Sequence, residues 1–429
     1  MQRRVFLAAS LAVLVSPPAL AAQVAPPLDE AGFEAWAADY VERASLAGLP
    51  RGILTREFQG LTLDSRVVAL DSQQPEFSRP ISDYIAGLTS EARVVAGKAK
   101  RAAAPWLARV ETRYGTPSEV LVAIWSVESS FGVMQGDFDV LRSLASLAAD
   151  GRRRDWAEEQ IGAIIRIIAS GEASRAQLRG SWAGAMGQTQ LEPTAYLEDA
   201  VDVHGRGRPD VWGSAEDALA SAANLLAKAG WRRGEAWQRE ARLPETFDYG
   251  LAEGPAKSAA AWSELGVKPA AGASFGDHAP EAVLILPAGA AGPAFLAYPN
   301  HFIIRKYNNS LAYALGVGLL ADRIAGRSGV VAAWPRELPL SIADRVGAQA
   351  ALTRLGFDAG PADGQVGLKT RVAGAVDFVK TEEMCSPALA ERLADVEGPA
   401  GRRLSDPAPG RPAGGRSRRT LRTRVQTRN

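Results

Sequence analysis

Glu128 stands where a carboxyl group could move protons. Val120, Leu121, Ile124, Trp125 and Val127 precede it and Gly132 follows. Leu121, Ile124 and Glu128 recur at helical spacing, so the carboxyl shares a face with apolar side chains and is partly desolvated. It also falls near the helix C-terminus, where the negative end of the macrodipole disfavours a second negative charge. Both effects push its pKa upward, as a proton donor working near neutral pH requires. Taken alone, the position also fits an ordinary solvated surface glutamate.

Two other segments carry groups suited to binding. In Gly180-Ser181-Trp182-Ala183-Gly184-Ala185-Met186-Gly187-Gln188-Thr189-Gln190, small residues let a ligand approach the backbone. The glutamines donate and accept hydrogen bonds, and the indole offers an apolar face to a sugar ring. A tight turn between helices has the same composition. Arg305-Lys306-Tyr307-Asn308-Asn309-Ser310 precedes a helical run from Leu311 to Ile324, with Tyr313 one turn in. Asparagine at such a place is otherwise a helix cap. Metal chemistry is not indicated, because His204, His278 and His301 lie far apart without ligand spacing. The lone Cys385 cannot close an internal disulfide.

The elements that must hold these groups are mostly helices. Thr116-Pro117-Ser118-Glu119 reads as a capping box with proline at the first helical position, so the Glu128 helix starts there and runs to Gly132. Ala- and Leu-rich segments with helical spacing, such as Gln160 to Ser170 and Ala215 to Ala229, fill the chain from Leu28 to about Arg327. A Gly-, Pro- and Ala-rich interruption from Leu243 to Asn300 accompanies two short apolar runs, Val283 to Leu286 and Phe302 to Ile304, which predict strands of a small sheet. Residues 328–342, with Ser328, Gly329 and Pro335 to Pro339, read as a linker. A compact segment follows over 343–380, and residues 381–429 are predicted to be a disordered basic tail.

Of the 429 residues, 47% are hydrophobic and 23% charged, the balance of a folded globular protein. The net charge of +1 conceals nine Arg and one Asp in residues 401–429, which leaves −7 for the rest. Steering towards nucleic acid is therefore not indicated for the folded part. Arg3 and Arg4, the apolar run from Val5 to Val15, Pro17, Pro18 and Ala19-Leu20-Ala21 have the order of a cleavable secretory signal over 1–21. Its apolar run of about eleven residues is too short to span a bilayer. The expectation is a soluble periplasmic protein without an integral membrane segment.

Four motifs occur in order: Ile124-Trp125-Ser126-Val127-Glu128-Ser129-Ser130-Phe131-Gly132, the Ser181 to Gln190 segment, Asp217-Ala218-Leu219-Ala220-Ser221-Ala222-Ala223-Asn224, and Tyr307-Asn308 ahead of Ala321-Asp322-Arg323-Ile324. Together they resemble the membrane-bound lytic murein transglycosylase B family, relatives of the lysozyme-like fold, over roughly residues 30 to 325. The resemblance implies a mainly α, lysozyme-like catalytic domain with a small β element over 22–327. It implies Glu128 as the single catalytic acid and base, with Ser181 and Gln190 binding substrate beside it. Tyr307, Asn308 and Tyr313 would line the sugar cleft, with Tyr84 as a further cleft tyrosine. No cofactor is implied, and the partner would be the glycan strands of peptidoglycan. The implied reaction cleaves the β-1,4 bond between N-acetylmuramic acid and N-acetylglucosamine and leaves 1,6-anhydromuramic acid ends. A hydrolytic muramidase using Asp137 or Asp139 as second carboxylate, and a noncatalytic wall-binding scaffold, are the competing readings.

Some members of that family bear a calcium loop with alternating carboxylates. Here the stretch is Asp202-Val203-His204-Gly205-Arg206-Gly207-Arg208-Pro209-Asp210. Arg206 falls where an acidic ligand belongs, so no metal is expected. A second resemblance, in Ala351-Leu352-Thr353-Arg354-Leu355-Gly356-Phe357, Gly360-Pro361-Ala362-Asp363-Gly364 and Gly367-Leu368-Lys369-Thr370, is to a small helical peptidoglycan-binding module, partial over 343–380.

Overall fold

A computed structural model of the chain describes residues 28–73, 80–272, 274–276, 278–335, 341–362, 364 and 370. The stretch read as a secretory signal, the expected basic tail, Cys385 and most of the second half of the 343–380 segment lie outside the described residues.

The described part opens with six helices, α1 (Glu30–Leu46), α2 (Arg51–Phe58), α3 (Ser65–Gln73), α4 (Ile81–Leu88), α5 (Glu91–Ala102) and α6 (Leu107–Tyr114). Next come α7 (Ser118–Ser129), the short strand β1 (Phe138–Asp139), α8 (Val140–Asp150), α9 (Arg154–Ser170) and β2 (Arg179–Gly180). Helices α10 (Pro193–Asp199) and α11 (Ala215–Lys228) lead into β3 (Gln238–Arg242), α12 (Ala259–Glu264), β4 (Lys268–Pro269), β5 (Val283–Ile285) and β6 (Ala294–Ala297). The described part closes with α13 (Pro299–Tyr307), α14 (Leu311–Ile324) and α15 (Ile342–Arg354). The fold is mainly helical with small sheets, as the apolar spacing predicts.

Helix α7 is apolar on almost every side, with Val120, Leu121, Val122, Ala123 and Ile124 wholly buried. A helix of that kind belongs at the centre of a core, and α5, α11 and α14 pack around it. Close approach there depends on Gly97 of α5: a Cβ at that position would meet Ile324 Cδ1 of α14 at 2.6 Å.

The larger sheet has the order β4-β3-β6-β5 and is antiparallel throughout. Its side chains alternate between two apolar layers, as the period of two requires. Leu284, Ala294 and Leu296 join Trp262 and Tyr298 on one face. Ile285, Phe295 and Ala297 meet Leu315 and Leu319 of α14 and Ile85 of α4 on the other. The sheet therefore fastens α14 from below.

One expected strand is a helix. Phe302 to Ile304 lie inside α13, which begins with Pro299 at its first position, where the fixed φ of proline is already helical. Of that apolar run only Ile304 is fully buried, on one helix side with Asn300 and His301.

Candidate active site

The start of α7 departs from the predicted capping box. Pro117 takes the N-cap position, and the Ser118 N–H donates to the Glu111 carboxylate at 3.0 Å. Glu119 pairs instead with Arg101 and Arg327, each at 3.2 Å. Two guanidinium partners favour a carboxylate more than a single backbone N–H does.

The helix ends at Ser129, before the predicted Gly132, because Ser130 and Phe131 turn left-handed with φ of 48° and 63°. Such angles cost a residue with a side chain about 1–2 kcal/mol. The loop that they begin is tied down at several points. Ser129 Oγ accepts from the Gly132 N–H at 2.8 Å. Gln135 Nε2 donates to the carbonyls of Gly132 at 3.0 Å and Trp212 at 3.1 Å. Gly136, at φ of +87°, passes so close to the partner strand that a Cβ would lie 2.1 Å from Gly180 O.

This closure sets the Ser181 to Gln190 segment against the end of α7. Trp125 Nε1 donates to Gln188 Oε1 at 2.9 Å, Ser129 Oγ to Gln188 O at 2.6 Å, and Gln188 Nε2 to Trp212 O at 3.0 Å. Gln188, Gln135, Trp212 and Thr189 were not among the predicted site residues. Gln188 and Thr189 lie within the quoted motif, whereas nothing local marks Gln135 or Trp212.

Glu128 itself is half-buried. Burial raises its pKa from the ordinary 4.5 to about 7, against a hydrogen bond that Tyr313 donates to Oε1. Tyr313 sits in the first turn of α14, and Ser310 caps that helix by accepting the Tyr313 N–H. Tyr307, at the end of α13, donates its hydroxyl to Thr189 O. Burial first, and the Glu128 charge second, push both phenols well above their usual range, so both stay neutral donors. Tyr84 of α4 is close enough to add to the shift of Tyr313. The structure thus gathers Glu128, Tyr307, Tyr313 and Tyr84 from α7, α13, α14 and α4.

The remaining predicted groups are placed differently. Ser181 Oγ accepts the Ala185 N–H at 3.0 Å within its own turn. Gln190, left-handed at φ of 50°, donates Nε2 to the carbonyls of Gln135 at 2.9 Å and Gly187 at 2.8 Å. Asn308 is exposed at the C-cap of α13, and Ser310 takes the helix-capping role expected of an asparagine.

Neither aspartate considered as a second carboxylate is poised for catalysis. Asp139 caps α8 through the Arg142 N–H at 3.1 Å and holds Arg175 with both oxygens, at 2.9 and 2.7 Å. Asp137 is exposed on the loop. Asp322, raised by burial to about 6 despite Arg327, belongs to the charge cluster at the far end of α14. A shifted carboxyl alone does not mark a site.

The Asp202 to Asp210 loop is closed without a metal ligand set. The Asp217 carboxylate, fully buried, accepts the N–H groups of Val203 at 3.2 Å and Asp210 at 2.9 Å and is paired with the Arg206 guanidinium. Asp202 accepts the N–H groups of His204 and Gly207. A calcium ion would have to displace Arg206, so this donor set does not fit calcium. Among the described residues no group of three or more His, Cys, Asp or Glu is placed to hold a metal ion.

Residues 32–322 match the family model described as Transglycosylase SLT domain. The membrane-bound lytic murein transglycosylase B of Escherichia coli (strain K12) is 31% identical over 217 residues, which are 49% of this chain and 58% of that protein. The chain thus spans less than two thirds of that relative. SltB3 from Pseudomonas aeruginosa, solved in complex with NAG-anhNAM-pentapeptide and with NAG-NAM-pentapeptide, is 42% identical with a TM-score of 0.79, covering 84% of this chain and 99% of that one. The Escherichia coli lytic transglycosylase Slt35, solved in complex with calcium, is 26% identical with a TM-score of 0.57, over 69% and 93% of the two chains.

Proposed function

The chain belongs to the Transglycosylase SLT domain family, and from that premise we propose that it is a lytic transglycosylase acting on the glycan strands of peptidoglycan. The observation that carries the reading is the Glu128 carboxyl, raised to about 7 by burial and hydrogen-bonded by Tyr313. Near neutral pH such a group is present in both protonation states, so it can serve first as acid and then as base.

In the first step Glu128 protonates the oxygen between N-acetylmuramic acid and N-acetylglucosamine. The bond to the muramic C1 breaks, and the substrate's N-acetyl group stabilises the cationic sugar. The Glu128 carboxylate, steadied by the Tyr313 hydroxyl, then takes the proton of the C6 hydroxyl of the same muramic acid. O6 bonds to C1, the 1,6-anhydro ring closes, and Glu128 is protonated again. No water is consumed, which fits the commitment of Asp139 to Arg175 and the α8 cap. Tyr84, Tyr307 and Asn308 line the cleft in this reading, and Ser181 and Gln190 bind substrate from the facing turn.

The Arg3 to Ala21 pattern supports export to the periplasm. Among the described residues no helix is long and apolar enough to cross a membrane. The segment over 343–380 is proposed to bind the wall.

Digestion of isolated sacculi with the purified protein tests the reading. Mass spectrometry is expected to find fragments with anhydro ends, lighter by one water than hydrolytic products. Reducing ends would establish hydrolysis, and no released fragments would leave a noncatalytic scaffold.

A further inference from the structure

A buried polar pair stands behind the two helices that carry Tyr307 and Tyr313, and the chemistry above does not use it. His301 of α13 is wholly buried and Gln238 of β3 nearly so. His301 Nδ1 lies 3.0 Å from Gln238 Oε1, and Gln238 Nε2 donates to the Leu315 carbonyl of α14 at 3.1 Å. A carbonyl only accepts, so the amide NH₂ faces Leu315 and the amide oxygen faces the ring. Burial, with the Arg305 charge added, pushes the His301 pKa down to about 3, so the imidazole is neutral. Its one proton therefore sits on Nδ1, and the hydrogen bonds run one way, from α13 through β3 to α14.

Cohesion does not require polar groups there. The sheet already packs Phe295 against Leu315 and Leu319. Asn300 separately ties the start of α13 to the loop before β3, donating to the carbonyls of Arg232 at 2.8 Å and Glu235 at 2.9 Å. Two apolar side chains of similar volume would fill the space of the pair at little cost, because both partners are removed together. Apolar contact is non-directional, however, whereas a hydrogen bond holds only over a narrow range of distance and angle. The pair therefore fixes how α13 and α14 sit against the strand and against each other. Leu315 faces the sheet and Tyr313, two positions earlier, faces the core around α7. A slide or roll of α14 on its sheet side is thus carried to the phenol that meets Glu128.

We infer that Gln238 and His301 are positioning residues of the active site, whose hydrogen bonds set the register of α13 and α14 and with it the aim of the Tyr313 hydroxyl at Glu128. Only the kinetic part of the test rests on the proposed function. Both residues are replaced in the full chain, Gln238→Met with His301→Leu. The Glu128 carboxyl is followed by carbon NMR across pH, its signal identified by loss in Glu128→Gln, and kcat and KM are measured on a soluble glycan strand. The double variant is expected to fold and to titrate Glu128 at higher pH than the parent, because the hydrogen bond that favours the carboxylate is loosened. Its kcat should fall by on the order of tenfold with KM similar. In a Tyr313→Phe background the same double replacement should move the titration no further. His301→Asn, whose amide N–H can stand in for Nδ1–H, should leave the titration in place. The assignment would be overturned by a double variant that does not fold or that titrates Glu128 as the parent does. A further shift in the Tyr313→Phe background, or a shift in His301→Asn as large as in the double variant, would overturn it equally. A parent that cleaves no strand while the titration moves as expected would instead remove the proposed function and leave the role of the pair standing.

Discussion

At the scale of single residues, the raised pKa of Glu128 has a cost in stability with a definite sign. The folded state holds this proton up to about pH 7, whereas an unfolded chain releases it near 4.5. Folding therefore binds a proton between those values, and stability falls as pH rises through them. Above the window the penalty is about 3 kcal/mol. Glu128→Gln keeps the shape and removes the charge. Its Tm is expected to exceed that of the parent at pH 8 and to match it at pH 4, while cleavage falls by about 10²–10⁴-fold. A Tm gain that is the same at both pH values would contradict the burial argument. Tyr313→Phe tests the other half. The lost hydrogen bond favoured the carboxylate, so the Glu128 pKa rises, and the alkaline limb of kcat/KM should move to higher pH. A limb that stays in place would mean that Tyr313 does not govern this proton. The apolar flank of Glu128 was legible from Leu121 and Ile124 alone. Its hydroxyl partner lies 185 residues away, and no local periodicity connects the two. Only the packing of α14 on α7 does.

At the scale of elements, local signals marked the helices well and their ends poorly. The run from Leu311 to Ile324 forms α14 with the expected bounds. The start of α7 is decided by Glu111, Arg101 and Arg327, and its end by two strained residues that open a loop in which Gln135 is held by Trp212 and Gln190. These are tertiary partners, invisible to a reading of neighbours. The loop before α11 is a sharper case, since Arg206 could be seen to spoil a calcium site but not to replace it. Asp217, wholly buried in the first turn of α11, is paired with this guanidinium. Arg206→Ala should cost about 1–3 kcal/mol, less than a fully buried pair because Arg206 is itself half-exposed. Thermal unfolding would record that as a lower Tm for the variant. The parent should unfold at the same temperature with a chelator as with added calcium. A chelator-dependent Tm in the parent would show that a metal, not Arg206, closes the loop.

At the scale of the whole molecule, the helices that carry Glu128 and Tyr313 share one packing problem with the sheet. Helix α14 lies with Tyr313 and Val317 in the core around α7, and with Leu315 and Leu319 against Phe295 of the sheet. The sheet holds the phenol in place without entering the site. The chain after α14 remains part of this arrangement for a few residues, because the N–H groups of Val331 and Ala332 both donate to Glu240 of β3 at 2.7 Å and Trp334 packs against the apolar cluster of Phe295 and Leu315. Leu352 and Ala359 form a small cluster of their own with Phe357, and Gln349 ties it by accepting the Gly364 N–H at 2.8 Å. The fastening of residues 330–334 to the sheet depends on Glu240, about ninety residues earlier in the chain, and was not legible in the sequence. Ending the chain after Pro335 should therefore leave the Tm and the turnover of short soluble glycan strands unchanged. If the segment over 343–380 serves the wall, the same truncation should raise the concentration needed to digest intact sacculi while leaving the anhydro products the same. Equal digestion of sacculi by both forms would deny the segment that role, and a truncated form that also lost activity on soluble strands would show that α15 belongs to the catalytic core.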